Sequence, residues 1–234
     1  HAFGKRPRGI GPAAWNRKGW HLSKTDIAGL EPVFYPESLA VIGASENPAK
    51  FGGMFLQTLL YFGYAGTVYA INPKGGIIQG LQAYPSVAAL PEPVDFGVIT
   101  VPAPLVPEAV KDCARSGVKG IQILSSGFRE AGQHGAALEE EILALARPAG
   151  MRVIGPNCFG VYSPAVGLTL IPGSDFGHEP GRVGLISQSG GGACDVIYMA
   201  GGRGVGFSLA VSYGNGCDID AAQMLRYFSD DDRT

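Results

Sequence analysis

From residue 36 onward, short apolar runs alternate with stretches whose apolar residues recur at helical spacing. Leu39–Gly43 reads as a buried strand, Phe51–Phe62 as a helix and Thr67–Ile71 as the next strand. Asp95–Val101 is a third strand, followed by a helix from about Pro104 to Arg115. Lys119–Leu124 is a fourth strand, Gly135–Ala146 a helix, and Met151–Ile154 a fifth strand. Continuous apolar strands between helices predict a parallel sheet covered on both faces, with right-handed crossovers. Residues 36–165 are therefore expected to form a doubly wound, Rossmann-like α/β domain.

The alternation breaks into a Gly/Pro-rich loop over Gly155–Pro172 and then restarts. Arg182–Ser187 and Val205–Ser212 read as strands, Gly191–Gly201 and Asp218–Phe228 as helices. Two βα units are too few for an independent sheet, so residues 166–234 are expected to be the start of a second domain. Residues 1–35 carry Lys5, Arg6, Arg8, Arg17 and Lys18 among glycines, prolines, Trp15 and Trp20. They read as an irregular basic extension, either a flexible arm or one that docks on a partner domain. His1 is not an initiator, so the chain is expected to begin inside a longer product or after a trimmed tag.

Composition narrows the classes. The chain is 46% hydrophobic and 16% charged, which suits a globular core and not a disordered chain. Its 36 glycines fall short of a low-complexity bias but mark many tight turns. A net charge of −2 offers no general basic field for nucleic acid. No apolar run is long enough for a membrane-spanning helix, and nothing at the start reads as a signal peptide. Cys113, Cys158, Cys194 and Cys217 lie far apart with no CxxC pair, which argues against a metal site or a disulfide framework. A reducing cytoplasm is the expected setting.

Five turns carry candidate chemistry. Gly43-Ala44-Ser45 after the first strand, with Gly52-Gly53 opening the next helix, lets backbone approach a phosphate at a helix N-terminus; close strand–helix packing is the alternative. The second strand ends in Asn72-Pro73-Lys74-Gly75-Gly76, where an NAD site would place an acidic residue. A cation there suits an additional phosphate, as on NADP or coenzyme A, unless Lys74 is a solvated turn residue. Val101-Pro102-Ala103-Pro104 forms a rigid apolar lip at the carboxyl edge, with Ser125-Ser126-Gly127 on the same edge. Gly155-Pro156-Asn157-Cys158-Phe159-Gly160 follows the fifth strand; Cys158 is either a small buried apolar residue or a thiol at the site. Ser187-Gln188-Ser189-Gly190-Gly191-Gly192 joins a strand to a helix and offers converging N–H groups for a phosphate. His134 and His178 read as solvated residues of a helix start and a loop.

In this order the motifs GAS…GG, NPKGG, VPAP, SSGF, GPNCFG, SQSGG and GNGCDID resemble the NDP-forming acyl-CoA synthetases over residues 36–234. The resemblance implies a Rossmann-like CoA-binding domain followed by the start of a flavodoxin-like, succinyl-CoA synthetase-like domain. It implies conversion of acyl-CoA, phosphate and NDP to carboxylate, CoA and NTP, through an acyl phosphate and a phosphohistidine. Coenzyme A or acyl-CoA is the implied ligand of this chain. ADP or ATP, magnesium and an ATP-grasp domain or subunit belong to the complete enzyme, as a homo- or hetero-oligomer.

Carried over by motif, Gly43, Ala44, Ser45 and Gly52 would meet the nucleotide and phosphates of CoA, and Lys74 its charged ADP end. Val101, Pro102 and Ala103 would line its path, with Ser125 and Ser126 beside it. Asn157 and Cys158 would border the place where thiol, acyl group and phosphate meet, as the candidate catalytic residues. Ser187, Gln188, Ser189, Gly190 and Gly191 would bind phosphate. Gly214, Asn215 and Asp218 match a further motif. The phosphohistidine and ATP-grasp parts are expected outside this chain, which should bind CoA without completing the reaction. The rival readings are a stand-alone CoA-binding or regulatory module, the CoA-binding half of a protein acyltransferase, and an NADP-dependent oxidoreductase.

Overall fold

The computed structural model describes Ile27, residues 29–170 and residues 175–234. The basic stretch with Trp15 and Trp20 lies outside these residues. In chain order the helices are α1 (Glu31–Phe34), α2 (Phe51–Phe62), α3 (Val106–Arg115), α4 (Gln133–Ala146), α5 (Gly190–Gly201) and α6 (Ala221–Asp230). The strands are β1 (Ser38–Ile42), β2 (Thr67–Ile71), β3 (Ile77–Ile78), β4 (Leu81–Tyr84), β5 (Phe96–Ile99), β6 (Gly120–Ile123), β7 (Arg152–Ile154), β8 (Gly160–Tyr162), β9 (Val183–Ser187) and β10 (Phe207–Ser212).

A seven-stranded sheet runs in the order β3-β4-β2-β1-β5-β6-β7 and is parallel except for β3. Its central strands β1, β5 and β6 are apolar without alternation because helices cover both faces; all four residues of β5 and of β6 are buried. In α3, Val106, Val110 and Cys113 recur at helical spacing and turn inward, while Glu108 is exposed. On α2, Gly63 ends the helix in the left-handed conformation (φ 82°), the usual role of glycine just past a helix.

Three features depart from the sequence reading. The β3–β4 hairpin adds two strands, joined by Gln79 and Gly80, both at positive φ (49° and 82°), as a two-residue hairpin turn demands. The supposed loop over Gly155–Pro172 contains β8, which pairs antiparallel with β10. That strand belongs to the second, three-stranded sheet (β8-β10-β9), so the sheets do not divide at residue 165. The irregular reading of 1–35 also fails at its end: Leu30, Val33 and Phe34 are fully buried, and α1 closes one face of the core.

The two sheets share an apolar core. One cluster joins Leu30, Leu39, Val41, Leu56 and Phe96 of the first unit to Leu209, Val211, Met224 and Tyr227 of the second. Helix α6 begins at Ala221, three residues later than its apolar pattern suggests. Asp220 and Gln223 form a capping box: Gln223 N–H donates to Asp220 Oδ1 at 2.9 Å, and Asp220 N–H to Gln223 Oε1 at 3.1 Å.

Candidate functional site

All five turns leave the carboxyl ends of parallel strands, where an open α/β sheet binds its ligands. The first turn is set by backbone proximity. A Cβ on Gly52 would lie 2.0 Å from the Gly43 carbonyl oxygen, and one on Gly53 2.1 Å from that of Asn47. Gly43 itself has φ 95° and sits against Thr100 and Val101. These glycines let α2 start directly beneath the turn, and no side chain caps its N-terminus. Ser45 Oγ accepts from Asn47 N–H at 3.1 Å, which leaves its hydroxyl hydrogen to donate. Ala44 is fully buried, so only its backbone faces outward chemistry; its carbonyl accepts from Asn72 Nδ2 at 2.9 Å.

That bond ties the second turn to the first. Asn72 Oδ1 accepts from Lys74 N–H at 2.9 Å, and Lys74 is exposed beside Gly75 and Gly76, both at positive φ. Gln79, which the motif reading missed, clamps the first turn. Its Nε2 donates to the carbonyls of Ser45 (3.0 Å) and Gly53 (2.9 Å). No local pattern marks this role, because it depends on where the hairpin folds.

The segments after β5 and β6 form a cleft of about 470 Å³. Thr100, Pro102, Ala103, Pro104, Ser125, Ser126 and Gly127 line it, with Phe51 of α2 and His134 and Leu138 of α4. Two of the expected contacts are modified by the geometry. Val101 is not part of the lining and packs partly buried on the core. The Ser125 hydroxyl donates to the Val101 carbonyl, so it braces the two lips against each other. His134, read from the sequence as merely solvated, stands exposed at the cleft wall. His178 lies elsewhere, stacked on Phe62 at 4.2 Å between ring centroids.

Cys158 is a packing residue. It is 2% exposed, its Sγ lies 3.3 Å from the Ile123 carbonyl, and burial pushes its thiol up to about 12. A thiol so held stays protonated and is a poor nucleophile. Its burial favours the small packing residue over a reactive thiol. Asn157 is exposed at φ 57°, and its N–H donates to the Ser125 carbonyl at 2.9 Å.

The fifth turn is brought against the fourth. A Cβ on Gly190 would lie 2.5 Å from the Phe159 ring, so glycine alone fits there. Ser189 caps α5, accepting from Gly192 N–H at 3.2 Å, and Ser187 Oγ donates to the Ser189 carbonyl at 2.8 Å. The first N–H groups of α5 make a positive helix end suited to an anion. Gln188 exchanges bonds with Gly214, each at 3.2 Å. A larger cavity, about 830 Å³, lies along Ile197–Met199 and Phe176 and holds none of these motif residues. Among the described residues, no group of His, Cys, Asp and Glu could hold a metal ion, and no helix is long and apolar enough to cross a membrane.

Residues 37–164 match the family described as CoA binding domain, and residues 180–234 the one described as succinyl-CoA ligase like flavodoxin domain. The chain is 42% identical over 205 residues to ADP-forming acetate–CoA ligase I of Archaeoglobus fulgidus, covering 88% of this chain and 30% of that protein. It is 42% identical over 211 residues to the α subunit of ADP-forming acetate–CoA ligase I of Pyrococcus furiosus, covering 88% of this chain and 45% of the subunit. The solved structure of dinucleotide forming acetyl-coenzyme A synthetase 1 of Ca. Korarchaeum cryptofilum, in complex with phosphate and ADP, matches with a TM-score of 0.81 at 38% identity. That match covers 88% of this chain and 44% of the other. The chain thus spans less than half the length of each of these relatives. With its Rossmann-like sheet, its match to the succinyl-CoA ligase like flavodoxin domain over residues 180–234 and its ordered turns, the chain belongs to the CoA-binding domain family.

Proposed function

We propose that this chain supplies the CoA and phosphate sites of an enzyme that converts acyl-CoA, phosphate and ADP to a carboxylate, CoA and ATP. The observation that carries the reading is the contact between two glycine-rich turns from different sheets: Phe159 against Gly190, with Gln188 bonded to Gly214. It sets an anion-binding helix end beside the strand edge that carries the cleft. CoA supplies the thiol on which the acyl group arrives. The chain's residues bind and orient. The Gly43–Ser45 turn and the start of α2 present backbone N–H groups and the Ser45 hydroxyl to phosphates. Lys74 offers a mobile cation to the phosphate of the nucleotide end. Pro102, Ala103, Ser126 and Gly127 guide the pantetheine arm along the cleft. Asn157 borders the reacting end, and Gly190 and Gly191 hold phosphate at the α5 N-terminus, whose dipole contributes about 0.3–1 kcal/mol.

Phosphoryl transfer through a histidine to ADP, with magnesium, falls to downstream and ATP-grasp parts on the same polypeptide or a separate subunit. The α-subunit naming of the Pyrococcus furiosus relative supports a subunit partner. Four cysteines outside any disulfide suit a reducing cytoplasm.

Calorimetric titration with CoA, NADP and dephospho-CoA tests the reading. CoA is expected to bind and NADP not. Lys74→Ala should weaken CoA about fivefold, the scale of an exposed charge contact, and leave dephospho-CoA nearly unchanged. Binding of NADP alone would overturn the reading in favour of a reductase, and equal weakening of both CoA forms would remove Lys74 from its role.

A further inference from the structure

The loop from Tyr213 to Asp220, between β10 and α6, belongs to the second sheet but touches the first unit at three places. Asn215 N–H donates to the Pro156 carbonyl at 2.9 Å, Cys217 N–H to that of Gly155 at 3.0 Å and Ile219 N–H to that of Val153 at 3.2 Å, while Gly214 N–H donates within the second unit to the Gln188 carbonyl at 3.2 Å. The Asn215 side chain reaches further. Its amide nitrogen lies 2.6 Å from Glu130 Oε2 and 3.2 Å from Glu139 Oε2. Carboxylates only accept, so the amide's two hydrogens are both committed, one to each.

Glu130 passes the restraint on. Its other oxygen accepts from Gly127 N–H at 2.6 Å and from Phe128 N–H at 3.1 Å. Burial opposes its charge, but the bonds from Asn215, Gly127 and Phe128 outweigh that and hold its carboxyl below the usual range. Gly127 is a lip residue of the cleft with φ 107°, one of the many backbone conformations open to glycine. Glu139 is fully buried on α4, the helix that also carries His134 and Leu138 into the cleft wall. Arg129 pairs with it at 3.2 Å. One side chain of the second unit thus braces both the lip and the far wall of a cleft in the first.

We infer that Asn215 is a positioning residue for coenzyme A, acting through Glu130 on the Gly127–Phe128 backbone to set the lip that the ligand must meet. The inference rests on the reading of this cleft as the CoA site. It also gives the cleft and the anion-binding turn one common support, since the same loop holds Gln188.

The test is a double-mutant cycle on the 234-residue chain, read by calorimetric titration with CoA beside thermal melting. The variants are Asn215→Leu, Glu130→Gln and the pair. Leu removes the donors at similar volume. Gln turns one of the two acceptor oxygens into a donor, which then faces either the Asn215 amide or the Gly127 and Phe128 N–H groups. Each single change is expected to raise the CoA Kd about 5–10-fold, the scale of the net contribution of one intramolecular hydrogen bond. The pair should cost no more than the stronger single change, because both break one path. A lowered melting temperature with an unchanged Kd would overturn the inference, since a merely structural contact behaves so. Fully additive losses would overturn it as well. Should Asn215→Leu not fold, Glu130→Gln decides alone, because it leaves the bonds to Pro156 and Gln188 in place. If the unmodified chain does not bind CoA, the reading of the cleft fails and the inference with it; if it binds and the variants bind equally, only the inference fails.

Discussion

At the scale of single residues, burial decides chemistry that residue type leaves open. Four cysteines stand in the sequence, and one follows a strand end where a reactive thiol would be useful. The fold instead buries Cys113 and Cys158 completely, and burial pushes both thiols, and that of Cys217, up to about 12. The consequence for stability has a definite sign. Above the ordinary thiol value of 9.0, the unfolded chain releases protons that the folded chain retains. The stabilisation is therefore complete below pH 9 and is lost as pH rises from 9 toward 12. The urea midpoint should fall between pH 8 and pH 10, and Cys158→Ala should lessen that fall by about 1 kcal/mol. An identical pH profile for the variant would show that the thiol is solvated in the native state. Lys74 illustrates the opposite case. Its charge at a strand end was legible from the absence of an acid there, because that argument needs only the order of elements.

At the scale of elements, glycine and proline punctuation marked the five turns at the carboxyl edge, but not which glycine each turn requires. Gly190 and Gly191 are adjacent and identical in sequence terms. A Cβ on Gly190 meets the Phe159 ring at 2.5 Å, while one on Gly191 meets nothing within 4 Å. Gly190→Ala should cost about 1–3 kcal/mol by forcing the ring and its loop apart. Gly191→Ala should be neutral or stabilising by up to about 1 kcal/mol, since alanine is the better helix former. Urea unfolding of the two variants checks the contrast, and equal destabilisation would remove the contact from the account. The same limit hid two small strand pairs. The β3–β4 hairpin turns at Gln79-Gly80, and β8 spans three residues that pair with a strand some fifty positions later. Neither carries a run long enough for periodicity to register.

At the scale of the whole molecule, the two sheets are held as one body by charges and by shared core. Asp218 accepts from Arg152 Nε at 2.9 Å and from Val153 N–H at 3.0 Å, and both side chains of the ion pair are largely buried. Asp218→Asn keeps the volume and removes the charge, at an expected cost of about 2 kcal/mol. The chain should unfold in one transition whose midpoint falls; a separate early transition in the variant would mean that the sheets unfold independently. The sequence had offered Asp218 as the first residue of a helix, because its apolar neighbours continue the α6 period. Only the position of β7 against the 213–220 loop gives it a partner.

By itself, the sequence determined the doubly wound sheet, the second α/β unit and the five turns at the carboxyl edge. Those depend on local apolar period and on glycines, which act over a few residues. Tertiary structure alone decided that Cys158 packs, that Ser125 braces the lips, that His134 meets the cleft, that Gln79 clamps the first turn and that Asn215 braces the cleft. Each of those roles is a bond, a contact or a burial between segments tens of residues apart, so it comes into being only when the sheets close on one core.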